Sequence, residues 1–591
     1  MLKRILKTAI IMSALTLVSQ STLAENPKRE MRSTWFTTVW SIDWPSSTVA
    51  SSQKKELTTY LDNFESMNLN GMCFQVRGMA DACYKSSYEP WSSALSGTRG
   101  SDPGWDPLAY CVEQCHARGI ECYAWVNPFR QSSGTTYTTS QDKQWAADGI
   151  LLTYDKYTVF NPGLPAARRH ILNVIAEIID NYQIDGILFD DYFYPNNIPT
   201  TSAAADYNLY KSSGSSLSFG DWRRENVNSL MREIQDMIQE KRPDLRFGIS
   251  PAGVAGTSAY KYGLEKCPVS ASDWQYNEIF SDPLAWLSDG SIDFISPQIY
   301  WFTTHSTAPY EPIANWWAEV ADHFGRHFYS SHSLSTLSSS NTASNRNQYI
   351  TQIEINRNVQ TPVTTCGSLW YSSKHFKTVG GSTEIGTLIH DKAYTGKSLV
   401  PVVSWKSGPS YKAPANASRS GSQLKWTAVS AGKAIMRYTV YAIPSTVNYE
   451  SALAADGDGF DAKYLLGVTY SPSFTLSSDK TSGYWYAVQV YDGYGREHEA
   501  ALIDYVGKFS EKVTLKSPVG GSTAAWSQTF TWSAASNASY TVEIAADNSF
   551  SEVAIRKNSQ TNSASLDLSS LQPEKTYYWR VSCQQTGMAA T

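Results

Sequence analysis

The run Asp185-Gly186-Ile187-Leu188-Phe189-Asp190-Asp191-Tyr192-Phe193-Tyr194-Pro195 sets two adjacent carboxylates directly after a short apolar segment. Gly186 to Phe189 follows a helix-like stretch and has the length and residue types of a buried parallel strand. Parallel barrels keep their chemistry at the C-terminal ends of strands, so an acid pair followed by two tyrosines and a proline-stiffened turn reads as a catalytic mouth. Helix capping or amide binding in a loop would account for one aspartate and leave the aromatic residues without a reason.

Outward from this segment the chain alternates strand and helix. Before it come candidate strands at 33–39, 71–78 and 120–127 and helices at 53–69, 107–118 and 165–182; Leu57, Leu61, Phe64 and Met67 repeat at helical spacing. After it come a helix over 222–242 and strands at 246–250, 292–300, 326–331 and 365–371. Eight strands with helical intervals predict an α/β chain with a TIM-like (β/α)8 barrel, closing near 399–405. A doubly wound open sheet would carry a Gly-rich phosphate turn after an early strand, and the sequence has none.

Length and composition fit a large barrel with smaller modules. The chain has 591 residues and a formal net charge of -5, without long Lys/Arg runs, which argues against nucleic acid as a partner. Twenty tryptophans and 36 tyrosines suit stacking against sugar faces as well as ordinary cores. Lys3, Arg4 and Lys7 precede an apolar run over 9–18, and Thr22-Leu23-Ala24 offers small residues for cleavage, so residues 1–24 read as a signal peptide. The run is too short to span a bilayer, and the mature chain is expected to be exported, in the periplasm or outside the cell. The eight cysteines are scattered; buried free thiols are expected, with no metal and no cofactor.

Residues 25–406 are assigned to the barrel. Beyond them short alternating runs at 424–427, 437–443, 473–476 and 484–492 predict one β-sandwich over 407–507, with Trp426 and Tyr486 in its core. Runs at 529–532, 540–545 and 577–582 predict a second, over 508–591, with its last strand short or missing; the ending Tyr577-Tyr-Trp-Arg-Val resembles fibronectin type III modules. Asp456, Asp458 and Asp461 lack the closing glutamate of a calcium loop and read as a solvated turn.

Glycosidic bond cleavage needs a proton for the leaving oxygen and a second group to stabilise the oxocarbenium-like centre. Asp190 and Asp191 are the only adjacent acids at a predicted strand end. Two acids held together cannot ionise equally, which leaves one able to act as an acid near neutrality. Neighbours on an extended strand point to opposite faces, so both reach one sugar only if the strand bends there. Arg77, Asn127, Arg130, Tyr192, Gln298, Tyr300 and Trp301, at or just beyond strand ends, are the candidate substrate-binding groups; His332 is a weaker one. A conventional retaining pair would draw its second acid from Asp81, Glu89, Asp273 or Glu278.

Arg77-Gly-Met-Ala-Asp-Ala-Cys-Tyr, Trp125-Val-Asn-Pro-Phe-Arg, Asn161-Pro-Gly, the Asp185 segment, Trp222-Arg-Arg-Glu-Asn-Val, Gly248-Ile-Ser-Pro and Ser296-Pro-Gln-Ile-Tyr-Trp together resemble the glycosyl hydrolase-like family 10 domain over about residues 30 to 405. The resemblance implies a TIM-like barrel in exported bacterial proteins. It also implies a polysaccharide substrate, peptidoglycan glycan strands stripped of peptide, and hence an acid pair acting on N-acetylated sugars with help from the substrate acetamide. Val126 and Ala252 depart from the family pattern. Two competing expectations are a hydrolase of another polysaccharide and a glycan-binding protein on a barrel that has lost catalysis.

Overall fold

A computed structural model describes residues 26–591 apart from 135–136, 360, 362–366, 377–383, 431, 506–507, 510–511, 536–537, 586–587 and 590–591. The expected signal peptide and Cys366 lie outside the described residues. Contacts divide the chain into two units, the first ending at Trp405 and the second starting at Lys406. Among the described residues no helix is long and apolar enough to cross a membrane.

The first unit is a TIM-like barrel. Its parallel strands are β1 (Met31–Phe36), β2 (Gly71–Arg77), β3 (Glu121–Val126), β4 (Gly186–Phe189), β5 (Arg246–Ile249), β6 (Phe294–Ile295), β7 (His327–Phe328 continuing as Ser330–Ser333) and β8 (Gly367–Tyr371). They neighbour one another in chain order, and β8 pairs with β1. The two halves of β7 pair with opposite neighbours, the first with β6 and the second with β8, which closes the ring. Eight helices alternate with them: α1 (Ala50–Ser66), α2 (Pro107–His116), α3 (Pro165–Asn181), α4 (Phe219–Lys241), α5 (Pro283–Ser288), α6 (Tyr310–His323), α7 (Ala343–Asn358) and α8 (Glu384–Lys392).

Local chemistry sets several of these boundaries. Helix α2 starts with proline behind Asp106, whose carboxylate accepts from the Ala109 N–H, and Gly119 takes a φ of 69° to turn the chain into β3. Helix α4 is capped by Ser218, which accepts from Asp221 N–H. The strands are buried on both faces, as expected for a sheet with helices outside and side chains within.

Large and small residues alternate around the barrel interior. A Cβ at Gly186 would lie 2.4 Å from the Tyr123 ring, and one at Gly248 would lie 2.1 Å from the Phe294 ring. Those glycines leave the volume that the two aromatic rings fill, so β4 and β5 can close against β3 and β6. At the N-terminal end of the strands Arg246 pairs with Glu121 at 3.0 Å and also donates to the Pro401 carbonyl. Leu399 bridges to Arg29, and Trp405 Nε1 donates to Asp293, so the 399–405 segment seals the end opposite the site and adds no strand to the ring.

Cys73, Cys83, Cys111, Cys115, Cys122 and Cys267 are free and buried, and Cys583 is buried. Cys111, Cys115 and Cys122 bring their sulfurs within 4.8 Å of one another between α2 and β3, where the Met72 sulfur lies 3.9 Å from Cys111 and 3.8 Å from Cys115. His332 is buried, hydrogen-bonded to Gln352 and Ser368 and stacked on Trp370. Burial pushes its imidazole down to about 4, so it stays neutral inside the wall.

Among the described residues the second unit is all β apart from single helical turns. Strands Ser418–Ser420, Gln423–Lys425 and Ser473–Thr475 form one sheet, and Arg437–Pro444, Leu465–Thr469, Tyr484–Tyr491 and Glu497–Ile503 another. Leu424 from the first, and Trp426 just beyond its strand, share a core with Val440, Tyr486 and Val488 from the second. Further on, Phe530, Trp532 and Leu566 of one sheet pack with Tyr540, Val542 and Cys583 of another. Asp461 is occupied as a cap on the Lys463 N–H and in an ion pair with the Lys463 ammonium at 2.6 Å.

Candidate active site

The C-terminal ends of the strands surround a cavity of about 210 Å³ lined by Trp35, Thr37, Trp40, Gln75, Trp125, Asn127, Arg130, Asp190, Asp191, Tyr192, Gln298, Tyr300 and Tyr371, among others. A second cavity of about 290 Å³ adjoins it and shares Trp40, Arg130, Asp191 and Tyr192 as its wall. Its far side is built from Tyr157 and Val159 together with Tyr194, Pro195 and Trp274. Tyr157 and Val159 belong to a small sheet of Arg130–Ser132, Leu151–Tyr154 and Tyr157–Phe160, inserted after β3.

Strand β4 ends at Phe189, and the backbone bends at Asp191. The strict alternation of an extended strand therefore no longer applies, and both carboxyl groups line the first cavity. Asp190 is the deeper, at 8% exposure. Its Oδ1 accepts from the Asp191 N–H at 2.9 Å and from the Gln298 amide at 3.1 Å. Gln298 Nε2 also donates to the Ser250 carbonyl at 3.1 Å, which fixes the amide between β5 and Asp190.

Burial raises both carboxyls, and the charge of Asp191 pushes Asp190 up further; Arg130 works against this on both. The pair therefore holds a proton jointly at a pH where isolated aspartates are ionised. The nearby phenols stay protonated: burial and then Asp190 raise Tyr300, and burial, Asp43 and Asp190 push Tyr371 up to about 12.

Aromatic rings form the floor. Trp35 and Trp125, from β1 and β3, meet edge to face at 4.7 Å, and Tyr300 stacks on Tyr371 with centroids 6.0 Å apart. Trp125 Nε1 donates to Asn127 Oδ1, and Asn127 in turn donates to the Gly78 carbonyl, so the asparagine is both a lining group and a brace. Gln75 Oε1 accepts from Thr38 N–H and Val39 N–H at 3.0 and 2.9 Å. That contact supports the loop presenting Trp40, which is 64% exposed.

Of the candidates read from sequence, Asp190, Asp191, Asn127, Arg130, Tyr192, Gln298 and Tyr300 come together around this cavity. Arg77 and Trp301 do not. Between Gln75 and Arg77 the β2–β3 register slips by a residue, a bulge that turns Arg77 to the outer face beside Val126. There Arg77 pairs with Glu89 at 2.6 Å and donates to the Pro128 carbonyl, and it lines neither cavity. Trp301 packs beside Gly253 and His305, because its neighbour Tyr300 takes the inward position. None of Asp81, Glu89, Asp273 and Glu278 lines either cavity. Burial would raise Glu89, but Arg77 and His170 outweigh it and hold the carboxyl at about 2, so it is no proton donor.

Sequence reasoning did not single out Trp35, Trp40, Gln75 or Tyr371. Gln75, Trp125 and Asn127 follow the inward parity of their strands, which was the available signal; Trp40 sits on a loop and had none. Val126 faces the helical layer, away from the cavity.

The Glycosyl hydrolase-like 10 family model matches residues 30–350. Glycosyl hydrolase YngK of Bacillus subtilis (strain 168) is 32% identical over 402 residues, covering 65% of this chain and 76% of that protein. Glycosyl hydrolase DigH of Escherichia coli (strain K12) is 32% identical over 318 residues, covering 50% and 71% respectively. Among solved structures, the catalytic domain of beta-amylase from Paenibacillus polymyxa aligns with 8% identity and a TM-score of 0.42, over 63% of this chain and 99% of that one.

Proposed function

The chain belongs to the glycosyl hydrolase-like 10 family, and from that premise we propose that it is an exported glycoside hydrolase cutting polymers of N-acetylated amino sugars, peptide-free peptidoglycan glycan foremost. The observation that carries the reading is the placement of the acid pair. Asp190 lines only the first cavity, whereas Asp191 lies in the wall common to both. A glycan laid across that wall presents its scissile oxygen to Asp191 and the acetamide of the sugar in the first cavity to Asp190.

In this reading the acetamide N–H donates to Asp190, which favours its ionised form and leaves the shared proton on Asp191. The acetamide oxygen attacks C1, the C1–O bond breaks, and the Asp191 proton passes to the leaving oxygen. Asp191, now a carboxylate, deprotonates the water that opens the cyclic intermediate. In the same reading Tyr300 donates to the acetamide oxygen, and Trp35 with Trp125 supports the sugar ring, a role their common place in the cavity lining supports. The two β-sheet pairs after Trp405, read as fibronectin type III-like modules, would serve as spacers or sugar-binding modules.

Mass spectrometry of products from amidase-treated cell-wall glycan tests the proposal. Short, peptide-free oligosaccharides with new reducing ends are expected; strands unchanged after prolonged incubation with folded protein would refute it.

A further inference from the structure

Arg130 is only 6% exposed, yet among the described residues its guanidinium forms no ion pair and donates no hydrogen bond; its Nε is buried without a partner. The other deeply buried arginines of the barrel are matched: Arg32 with Glu30, Arg77 with Glu89, Arg223 with Asp206, Arg242 with Asp244 and Arg246 with Glu121. A guanidinium whose Nε is shut off from water without a partner is costly, and in a barrel that pairs its other deeply buried arginines this one alone turns its terminal nitrogens to the cavities.

Its surroundings say what it is open to. The guanidinium carbon lies 4.9 Å from the Trp40 ring centroid and 4.7 Å from that of Tyr192, so two rings clasp it and limit its orientation. It borders both cavities. Asp190 and Asp191 feel its charge without reaching ion-pair contact, and with one proton shared between them they carry one negative charge. A fixed, planar, unpaired guanidinium matches a carboxylate, which it can hold through two parallel hydrogen bonds.

We infer that Arg130 is the receptor for a substrate carboxylate, the lactyl carboxylate of a 3-O-lactyl N-acetylated amino sugar, bound where the two cavities meet. The inference rests on the amino-sugar reading given above. It also supplies a physical reason for acting on stripped strands: a peptide joined to the lactyl group turns the carboxylate into a neutral amide and leaves the guanidinium unpaired and desolvated.

The test compares wild type, Arg130→Gln and Arg130→Lys for both binding and turnover on four glycans: peptide-free peptidoglycan strands, the same strands with the lactyl carboxylates converted to primary amides, lactyl-free N-acetylglucosamine oligomers, and an alternating N-acetylhexosamine–uronate polymer. Titration calorimetry reads binding and reducing-end release reads turnover. Wild type is expected to favour the free-carboxylate strands over their amides by roughly tenfold to a hundredfold. Arg130→Gln should bring that ratio close to one, and Arg130→Lys should keep part of it, because charge survives while the fork is lost.

Equal binding of acid and amide strands by wild type, an undiminished preference in Arg130→Gln, or a preference for the uronate polymer would overturn the inference. Turnover with no carboxylate preference would overturn it while sparing the hydrolase reading. Arg130-dependent preference in binding without turnover of any glycan would retire the hydrolase reading and keep the inference.

Discussion

Gln298 holds Asp190 in place: one amide nitrogen donates to Asp190 Oδ1 and to the Ser250 carbonyl, each at 3.1 Å. The deeper carboxyl of the pair is thus tied to the end of β5 and is not free to rotate. Gln298→Leu removes the tether without a large volume change. The expected result is a fall in kcat of roughly 10²-fold with an unchanged circular dichroism spectrum; wild-type kcat in this variant would show that Asp190 needs no such support.

Both carboxyls of the pair are raised, by burial first, and Arg130 restrains the rise. Turnover needs the pair singly protonated, so the pH–rate profile should be a bell whose limbs belong to the pair as a unit. Removing the guanidinium in Arg130→Gln takes away a lowering influence on both groups. Both limbs should therefore move to higher pH, and limbs that stay in place or move down would contradict the assignment.

The same shift carries a stability consequence. An aspartate raised by folding is protonated in the native state while the unfolded chain has already ionised, so it costs stability as pH climbs above the unfolded value near 3.8. Asp190→Asn should therefore raise the thermal midpoint at neutral pH, with the gain shrinking as pH is lowered toward that value. Thermal scans across pH read this directly; an Asn variant less stable than wild type at neutral pH would be the opposite result.

The Arg77–Glu89 pair should behave as structure. Glu89 is held at about 2 against the tendency of burial to raise it, so its contribution is present above the unfolded value near 4.5 and is lost as pH falls through that window. Glu89→Gln leaves Arg77 buried with one fewer anion and is expected to cost about 3–5 kcal/mol in denaturant unfolding. A double replacement of Arg77 and Glu89 by apolar residues should recover much of that loss.

Acetamide participation makes its own demand on the substrate. Strands chemically stripped of their N-acetyl groups lack the attacking oxygen and should be cut at least roughly 10³-fold more slowly than the acetylated form. Equal rates would move the nucleophile from the substrate to the protein.

Much of the architecture was legible because buried parallel strands and amphipathic helices leave different periods in the chain, and Gly186 to Phe189 is bounded as the sequence suggested. Strand β6 is much shorter than the apolar run over 292–300 because proline 297 interrupts the ladder, leaving Gln298 as an isolated bridge to Ala252 and Ser331. Arg77 was misplaced because parity counting assumes an unbroken register and the bulge after Gln75 breaks it. The inserted sheet from Arg130 to Phe160 has strands of three and four residues, too short to show a period. Trp35 and Trp125 meet only through the β1–β2–β3 register, which no local pattern reports.

The central claim is that Asp190 and Asp191 act together on one glycosidic bond, and reducing-end release from peptide-free glycan by wild type, Asp190→Asn and Asp191→Asn tests it most directly. Each substitution alone should lower the rate by roughly 10²- to 10⁴-fold in protein that remains folded and still binds the strands. Wild-type rates in both variants would contradict it.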